Sequence, residues 1–179
     1  PELLLETQQA AMDEIIHAQL AYGLASAYGD RSVGPGVLSL EGIELSTDPE
    51  EIVRLLIEEA CVGEILGAAE AQVAADCAMD PVVKATYARI ADEEGRHARL
   101  AWQALQWMLE QRPELRAQAA DWLDEIIAEH LGRTTMDTPH RPEIGLLGAR
   151  ERQAIFEDAI VTVVLPCAEG LGLRLKVAA

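Results

Sequence analysis

The sequence predicts an all-α protein, and three observations support that prediction. Ala and Leu are abundant while aromatic residues make up only 4% of the 179 residues, a composition that favours helices. Apolar residues recur at three- and four-residue spacing over long stretches of the chain. An Asp-Pro pair precedes two of these stretches, and an Asp cap with Pro in the first turn is a typical helix start.

The first half of the chain is predicted to hold two helices with a long connection between them. Residues 2–28 have helical apolar spacing, and Gly29 is a plausible stop. Residues 29–48 are rich in Gly and turn residues and have no helical period, so they form the connection. Asp48 then caps a helix that continues to about Cys77.

The second half is predicted to hold three further helices. These helices are expected over 81–110, 113–132 and 146–164. Residues 133–145 are expected to form a loop, and Pro166 is expected to break the last helix. Because no composition change marks a boundary, we predict one domain over 1–179, with core helices in 1–110 and a helical extension in 113–179.

Charge and composition exclude several classes of protein. The net charge of −17 argues against nucleic-acid binding, which needs a basic surface, and favours a field that attracts cations. No apolar run is long enough to span a bilayer. The three cysteines are odd in number and lack the spacing of a metal site, so we expect them to be reduced thiols. With no targeting signal in a chain that opens at Pro1, we expect a cytoplasmic protein whose true N-terminus is not seen.

A Glu-x-x-His motif occurs twice, as "DEIIHAQLA" and "EEGRHARLA". A shift of 80 residues places Glu14 on Glu94 and His17 on His97. One copy alone would be a weak signal, because a solvent-exposed pair at this spacing is common on helices. Two copies in matching Ala- and Leu-rich contexts use two of only four histidines, and this indicates a functional role.

The helix between the two motifs supplies a third acid. Glu64 lies about as far before the turn at Met79 as Glu94 lies after it, so both are predicted at one height in an antiparallel hairpin, roughly 22 Å from the turn. Glu59 is the competing candidate, but it would lie roughly 8 Å further along the axis. We therefore choose Glu64 as the ligand and assign Glu59 an outer or structural role.

Carboxylates and imidazoles that meet at one level of a helical bundle are typical of a dinuclear metal site. One Glu from each of two helices and Glu-x-x-His from two others form the ligand set of carboxylate-bridged di-iron bundles. Hard oxygen ligands with one imidazole per ion suit iron or manganese, although zinc would also bind. The predicted metal ligands are Glu14, His17, Glu64, Glu94 and His97, which would hold two iron ions or, alternatively, manganese or zinc ions.

Three stretches of the chain resemble the ferritin-like superfamily, in particular bacterial ferritin-like domain proteins of poorly defined role. They are "MDEIIHAQLAYGLASAYGDRSVGPG", "EEACVGE" and "DPVVKATYARIADEEGRHARLAW". The likeness covers about residues 1–110 and extends more weakly to "VVLPCAEGL". It implies a four-helix bundle with a long crossover between its second and third helices, which residues 29–48 would provide.

The resemblance assigns each predicted ligand to a helix of that bundle. Glu14 and His17 match the second-helix motif, Glu64 the third-helix acid, and Glu94 and His97 the fourth-helix motif.

The first-helix Glu of the superfamily has no counterpart in this chain. We expect a helix carrying a bridging Glu upstream of residue 1, which is cleaved off, disordered or held on a separate chain. An alternative is that a C-terminal helix or a partner subunit fills the gap, with Glu151, Glu157 or Glu169 as undistinguished candidates. The exposed groove left by a missing helix favours dimerisation, so we expect a homo-oligomer.

Two functions follow from these observations. The leading hypothesis is a redox di-iron protein that reacts with oxygen or peroxide, as a ferroxidase, a peroxide-reducing enzyme or an oxidase. The alternative is a non-catalytic helical binding or scaffold protein whose site holds zinc or is empty. No catalytic residue is assigned beyond the metal ligands.

Four other residues have more ordinary interpretations. His130 is expected to cap a helix C-terminus, and His140 to lie in a loop. Tyr87 either hydrogen-bonds a ligand or packs in the core, and both remain open. Gly95, inside a helix, indicates a close helix approach or a π-bulge.

Overall fold

A computed structural model describes residues 1–43, 45–132 and 139–176. Within these residues every regular element is helical, and Arg141 and Leu146 form an isolated antiparallel bridge. The α-helices are α1 (Glu2–Tyr28), α2 (Pro49–Leu55), α3 (Gly63–Cys77), α4 (Pro81–Gln111), α5 (Arg116–Gly132), α6 (Ala149–Ala159) and α7 (Leu165–Gly170). The all-α prediction is therefore confirmed.

Two kinds of helical turn supplement the α-helices. The π-helical segments are Leu56–Val62 and Ile160–Val164, and the 3₁₀ turns are Pro113–Leu115 and Pro142–Ile144. No described helix has both the length and the apolar character needed to cross a bilayer.

The chain divides into two compact units, Pro1–Thr47 and Asp48–Ala179. The first contains α1 and most of the long connection, and the second contains all the other helices. The boundary falls beside Asp48, where the sequence predicted a helix start. The prediction of a single domain over 1–179 stays a prediction.

The first unit begins with α1, which ends where the sequence predicted. The Gly29 N–H donates to the Ala25 carbonyl at 2.9 Å and closes the last turn. The Ser26 hydroxyl accepts a hydrogen bond from the Val33 N–H at 3.0 Å, which holds the chain close to the helix end. Residues 30–43 and 45–48 contain no helix, as predicted, while position 44 lies outside the described residues.

In the second unit, the helical run from Pro49 to Cys77 is continuous, as predicted, but it is not uniform. The Asp48 carboxylate accepts from the Glu50 N–H at 3.1 Å and caps the start. The π-helical segment Leu56–Val62 interrupts the α-helical hydrogen bonding and places Ile57 and Cys61 in the core with no exposed surface. Such π segments are often found at functional sites, and this one ends two residues before Glu64.

The helices α3 and α4 form the central hairpin of this unit. They are joined by residues 78–80 and pack against each other along their lengths, so they run antiparallel. The Asp80 carboxylate caps α4 by accepting hydrogen bonds from the Val82 and Val83 N–H groups at 2.7 and 3.4 Å. The predicted antiparallel hairpin is therefore found.

We expect Asp80→Ala to lower the free energy of unfolding by about 1 kcal/mol, because two N–H groups of the first turn lose their acceptor. For a chain of this length, that corresponds to a fall in Tm of roughly 2–4 °C. Thermal unfolding by circular dichroism measures the change, with the exposed Asp30→Ala as the control. Equal Tm values for the two variants would contradict the capping role.

The core lies where α4, α5 and the C-terminal helices meet the π-helical segment Leu56–Val62. Its largest fully buried side chains are Ile57, Leu105, Leu109, Leu123, Ile127, Val53, Val62, Val83, Val164 and Cys61. Two long-range contacts hold the C-terminal segment in place. Arg116 donates to the Leu171 carbonyl at 2.7 Å, and the Lys176 N–H donates to the Asp124 carboxylate at 2.8 Å.

The last helix was predicted from about residue 146, and it begins at Ala149. The predicted break at Pro166 was wrong, because the helical run continues through Pro166 to Gly170. The π-helical segment Ile160–Val164 immediately precedes α7, which contains Pro166 near its start. A π turn widens the helix, so a residue without an N–H group is accommodated where a regular helix would be disrupted. Of the predicted 133–145 loop, residues 133–138 lie outside the described residues.

A candidate metal centre on the central hairpin

Three predicted ligands lie together on the α3–α4 hairpin. Glu64, Glu94 and His97 each offer one ligand atom, and these atoms lie within 4.8 Å of one another. The His97 Nδ1 atom lies 3.2 Å from Glu94 Oε2. The His97 and Glu94 side chains are only 6% and 14% exposed, so this is an enclosed group rather than a surface cluster.

Local sequence explains why these side chains meet. The spacing of three residues places Glu94 and His97 on one face of α4. The hairpin turn then sets the register that brings Glu64 to the same height, as the sequence predicted. A Cβ atom built on Gly67 would lie 3.9 Å from the Cγ and Cδ atoms of Glu94, which is ordinary van der Waals contact. Gly67 therefore lies beside the Glu94 carboxylate.

The surroundings of the cluster are apolar. On α4, the small side chains of Ala91, Ala98 and Ala101 are buried. On the facing helical run, Ile57 and Cys61 are fully buried. Two carboxylates within 4.8 Å repel each other by on the order of 3 kcal/mol at an effective dielectric constant of about 20. A bound cation would offset that repulsion.

The first motif has the same local geometry within its own unit. The His17 Nδ1 atom lies 3.5 Å from Glu14 Oε1 on α1. The His17 side chain is 8% exposed, while the Glu14 side chain is 54% exposed. Both copies of Glu-x-x-His thus pair the imidazole with the acid three residues before it.

The competing acid Glu59 is exposed and does not belong to the cluster. It lies in the π-helical segment, five residues before Glu64. The sequence-based choice of Glu64 over Glu59 therefore agrees with the described geometry, while ligation by Glu64 stays a prediction.

The C-terminal acids have other contacts. The Glu151 carboxylate lies 2.7 Å from His140 Nδ1 and accepts from the Gly148 N–H at 2.8 Å. Glu157 accepts from the Gln153 side chain at 3.0 Å. Glu169 is exposed at the end of α7. In the described part of the chain, none of the three belongs to the cluster of Glu64.

Sequence reasoning missed Glu93, which is buried with 7% exposure beside the cluster. Arg89 Nε donates to both Glu93 oxygens at 3.1 and 3.2 Å, and Arg96 approaches at 3.6 Å. The spacing of four residues between Arg89 and Glu93 is the signal that could have predicted this ion pair. Two guanidinium groups therefore compensate the charge of this buried acid.

Cys61, one turn before Glu64, is a poor candidate for a ligand. Burial raises the pKa of its thiol, and the nearby Cys167 raises it further. Because metals bind the thiolate rather than the thiol, this shift disfavours coordination. The place of Cys61 in the core is consistent with a packing role.

Ordinary structural contacts account for His130, His140 and Tyr87. His130 Nδ1 lies 2.9 Å from the Ile126 carbonyl in the last turn of α5, as expected for a cap. His140 lies outside any helix, as predicted, and pairs with Glu151. The Tyr87 ring packs directly against Gly145, which favours the packing role.

The interpretation of Gly95 was wrong. The helix is regular α at this position, and nothing lies within 4 Å of a Cβ atom built there. There is thus no close helix approach and no π-bulge at Gly95. The π turn of this hairpin lies instead in Leu56–Val62, where no Gly or Pro marks it.

Comparison with known proteins gives no relative. No protein-family model, curated protein or solved structure matches this chain.

Proposed function

We propose that this chain is a ferritin-like dinuclear metal protein that holds two iron ions and reacts with oxygen or peroxide. The observation that carries the proposal is the enclosed group of Glu64, Glu94 and His97 on the α3–α4 hairpin. Glu14 and His17 on α1 are proposed to complete the ligand set. Two carboxylates and one imidazole are three of the five predicted ligands.

The donor set fits a transition-metal ion. Ligand atoms bound to one ion at about 2.0–2.2 Å lie roughly 3 Å apart when they are neighbours in its coordination sphere. The 3.2 Å separation of His97 Nδ1 and Glu94 Oε2 is of this size. Carboxylate oxygen with one imidazole suits iron or manganese better than a soft metal.

The repeat supports a second ion. Glu14 and His17 have the same spacing as Glu94 and His97, and a similar distance separates acid and imidazole in both pairs. We infer that each histidine would hold one ion and that the glutamates would neutralise the charges of the two ions.

The chain's own residues bind, hold and shield the metals. The buried alanines beside Glu94 and His97 exclude water from one side of the group. Beside them, Glu93 is held by Arg89 at 3.1 Å and by Arg96 at 3.6 Å. When bound, two ferrous ions supply the electrons that reduce oxygen or peroxide.

One ligand of the superfamily pattern is not accounted for. We propose that a Glu from a second subunit of a homo-oligomer supplies it. The predicted iron stoichiometry does not depend on that Glu.

The test is an anaerobic titration of the metal-free chain with ferrous iron, followed by oxygen or hydrogen peroxide in separate experiments. We expect about two ions per chain, since each Glu-x-x-His motif supplies one imidazole. Ferric absorbance should then develop within seconds to minutes of adding the oxidant. A double variant, Glu14→Gln with His17→Gln, should reduce the stoichiometry to about one.

Two results would contradict the proposal. A chain that binds no ferrous iron has no di-iron site. A chain that binds zinc tightly, and holds ferrous iron without oxidation by either oxidant, fits the non-catalytic alternative instead.

A further inference from the structure

A second feature of the Asp48–Ala179 unit is an apolar groove between α4 and the C-terminal helices. Its volume is about 450 Å³, which lies within the usual range of small-molecule sites. The apolar side chains that line it are Ile65, Ala98, Trp102, Val163, Cys167 and Leu171. None of these residues is a predicted metal ligand.

The groove continues into a neighbouring compartment of about 440 Å³. Both compartments are lined by Ile65, Gly95, Ala98 and Val163, so they form one trough over Gly95. A Cβ atom at Gly95 would meet nothing within 4 Å. The space beside Gly95 is therefore open, and a large side chain at this position would extend into the trough.

Trp102 lines this groove, and its indole carries an unused hydrogen-bond donor. The side chain is nine-tenths buried, with 9% exposure. Within the described part of the chain, its Nε1–H group is buried and has no hydrogen-bond acceptor. Since a buried donor without an acceptor costs free energy, an acceptor from outside the described residues would stabilise the indole.

Arg99 brings a positive charge to the same groove. It is exposed at the rim, and it forms no ion pair with any residue that the structure describes. With 31 acidic and only 14 basic residues in the chain, the positive charge of Arg99 contrasts with the acidic balance of the whole sequence. Arg99 and Trp102 lie three residues apart and therefore on one side of α4.

We propose that this groove binds a small aliphatic carboxylate. The hydrocarbon chain packs against Ile65, Ala98 and Val163, while Arg99 and the Trp102 Nε1–H group donate hydrogen bonds to the carboxylate. An apolar trough selects a hydrocarbon, and the unused cation and donor select an acid over an alcohol. This site is independent of the proposed metal centre.

The test is isothermal titration calorimetry of the metal-free full-length chain with octanoate, at concentrations below micelle formation and with a chelator present. We expect saturable binding at one site. Octanol, which has the same tail and no charge, should bind at least about tenfold more weakly, because hydrogen bonds to charged groups are the stronger ones. The Arg99→Gln variant should lose a similar factor for octanoate and little for octanol.

Two matched glycine variants separate binding from folding. Gly95→Leu should abolish octanoate binding by filling the trough, while its Tm stays equal or rises because Leu favours helix more than Gly does. Gly23→Leu, on α1 with nothing within 4 Å of its Cβ, should bind octanoate like the parent chain.

Trp102→Phe, which keeps an aromatic ring without the donor, should weaken binding by about threefold to tenfold.

Three results would overturn the proposal. Octanol binding as tightly as octanoate would remove the role of Arg99. A folded Gly95→Leu variant that still binds octanoate would place the ligand elsewhere. Absence of saturable octanoate binding to the parent chain would end the proposal, and it would leave the iron stoichiometry of the metal centre unaffected.

Discussion

The Glu64→Gln substitution is expected to weaken ferrous iron binding by at least about 100-fold, because residues that merely orient metal ligands already contribute about 10–100-fold. Gln keeps the size of the side chain and removes the charge that would neutralise the metal. Glu64 offers a ligand atom within 4.8 Å of those of Glu94 and His97, so its loss leaves one carboxylate and one imidazole on the hairpin. Anaerobic titration with ferrous iron measures the change.

The matched control is Glu59→Gln, five residues earlier in the same helical run. Glu59 is exposed and outside the cluster, so this variant should bind iron like the parent chain. If Glu59→Gln loses iron and Glu64→Gln keeps it, the hairpin register has been assigned to the wrong acid.

The Gly145→Ala substitution is expected to destabilise the chain by about 3 kcal/mol, from backbone strain of about 1–2 kcal/mol and overpacking of about 1–3 kcal/mol. Gly145 has φ of +80°, a region that residues with a Cβ atom rarely adopt. A Cβ atom there would lie 2.3 Å from Cε2 of the Tyr87 ring. The loop after 3₁₀ turn Pro142–Ile144 must then move away from α4.

Two other glycines separate the contributions of strain and contact. Gly172 has φ of +72° but nothing within 4 Å of a Cβ atom, so Gly172→Ala should cost only about 1–2 kcal/mol. Gly23 lies in α1 with open space around it, and Gly23→Ala should gain up to about 1 kcal/mol. Urea unfolding of the three variants should rank them in this order, and equal effects of Gly145→Ala and Gly172→Ala would contradict the contact with Tyr87.

Helix starts and stops were predictable because short-range chemistry determines them. Asp48 and Asp80 cap the helices that the sequence assigned to them, and Gly29 ends α1 at the predicted residue. Each of these signals involves groups within a few residues of one another. The break of the last helix was mispredicted, since the π turn before Pro166 has no comparable local signal.

The hairpin half of the site was predictable for a similar reason. The repeat identified Glu94 and His97, and counting residues from the turn selected Glu64, which the structure brings to them. That counting works because a helix has a constant rise and a short turn sets the register. The roles of these residues as ligands, and the ferritin-like assignment, stay predictions.

Other features depended on contacts that the sequence pattern does not encode. The burial of Glu93, the packing of Tyr87 on Gly145 and the open space at Gly95 each depend on which side chains surround a position. The groove exists only because the C-terminal helices pack beside α4 and leave Gly95 uncovered.

The sequence by itself determined the helical class, most helix ends and the spacing of acid and imidazole in both motifs, because these follow from interactions within a turn or two of helix. Only the tertiary structure decided where the helical run widens into π turns. Among the described residues, it also leaves the Nε1–H donor of Trp102 buried without an acceptor. These features depend on packing between segments that are distant in the sequence and meet only in the folded protein.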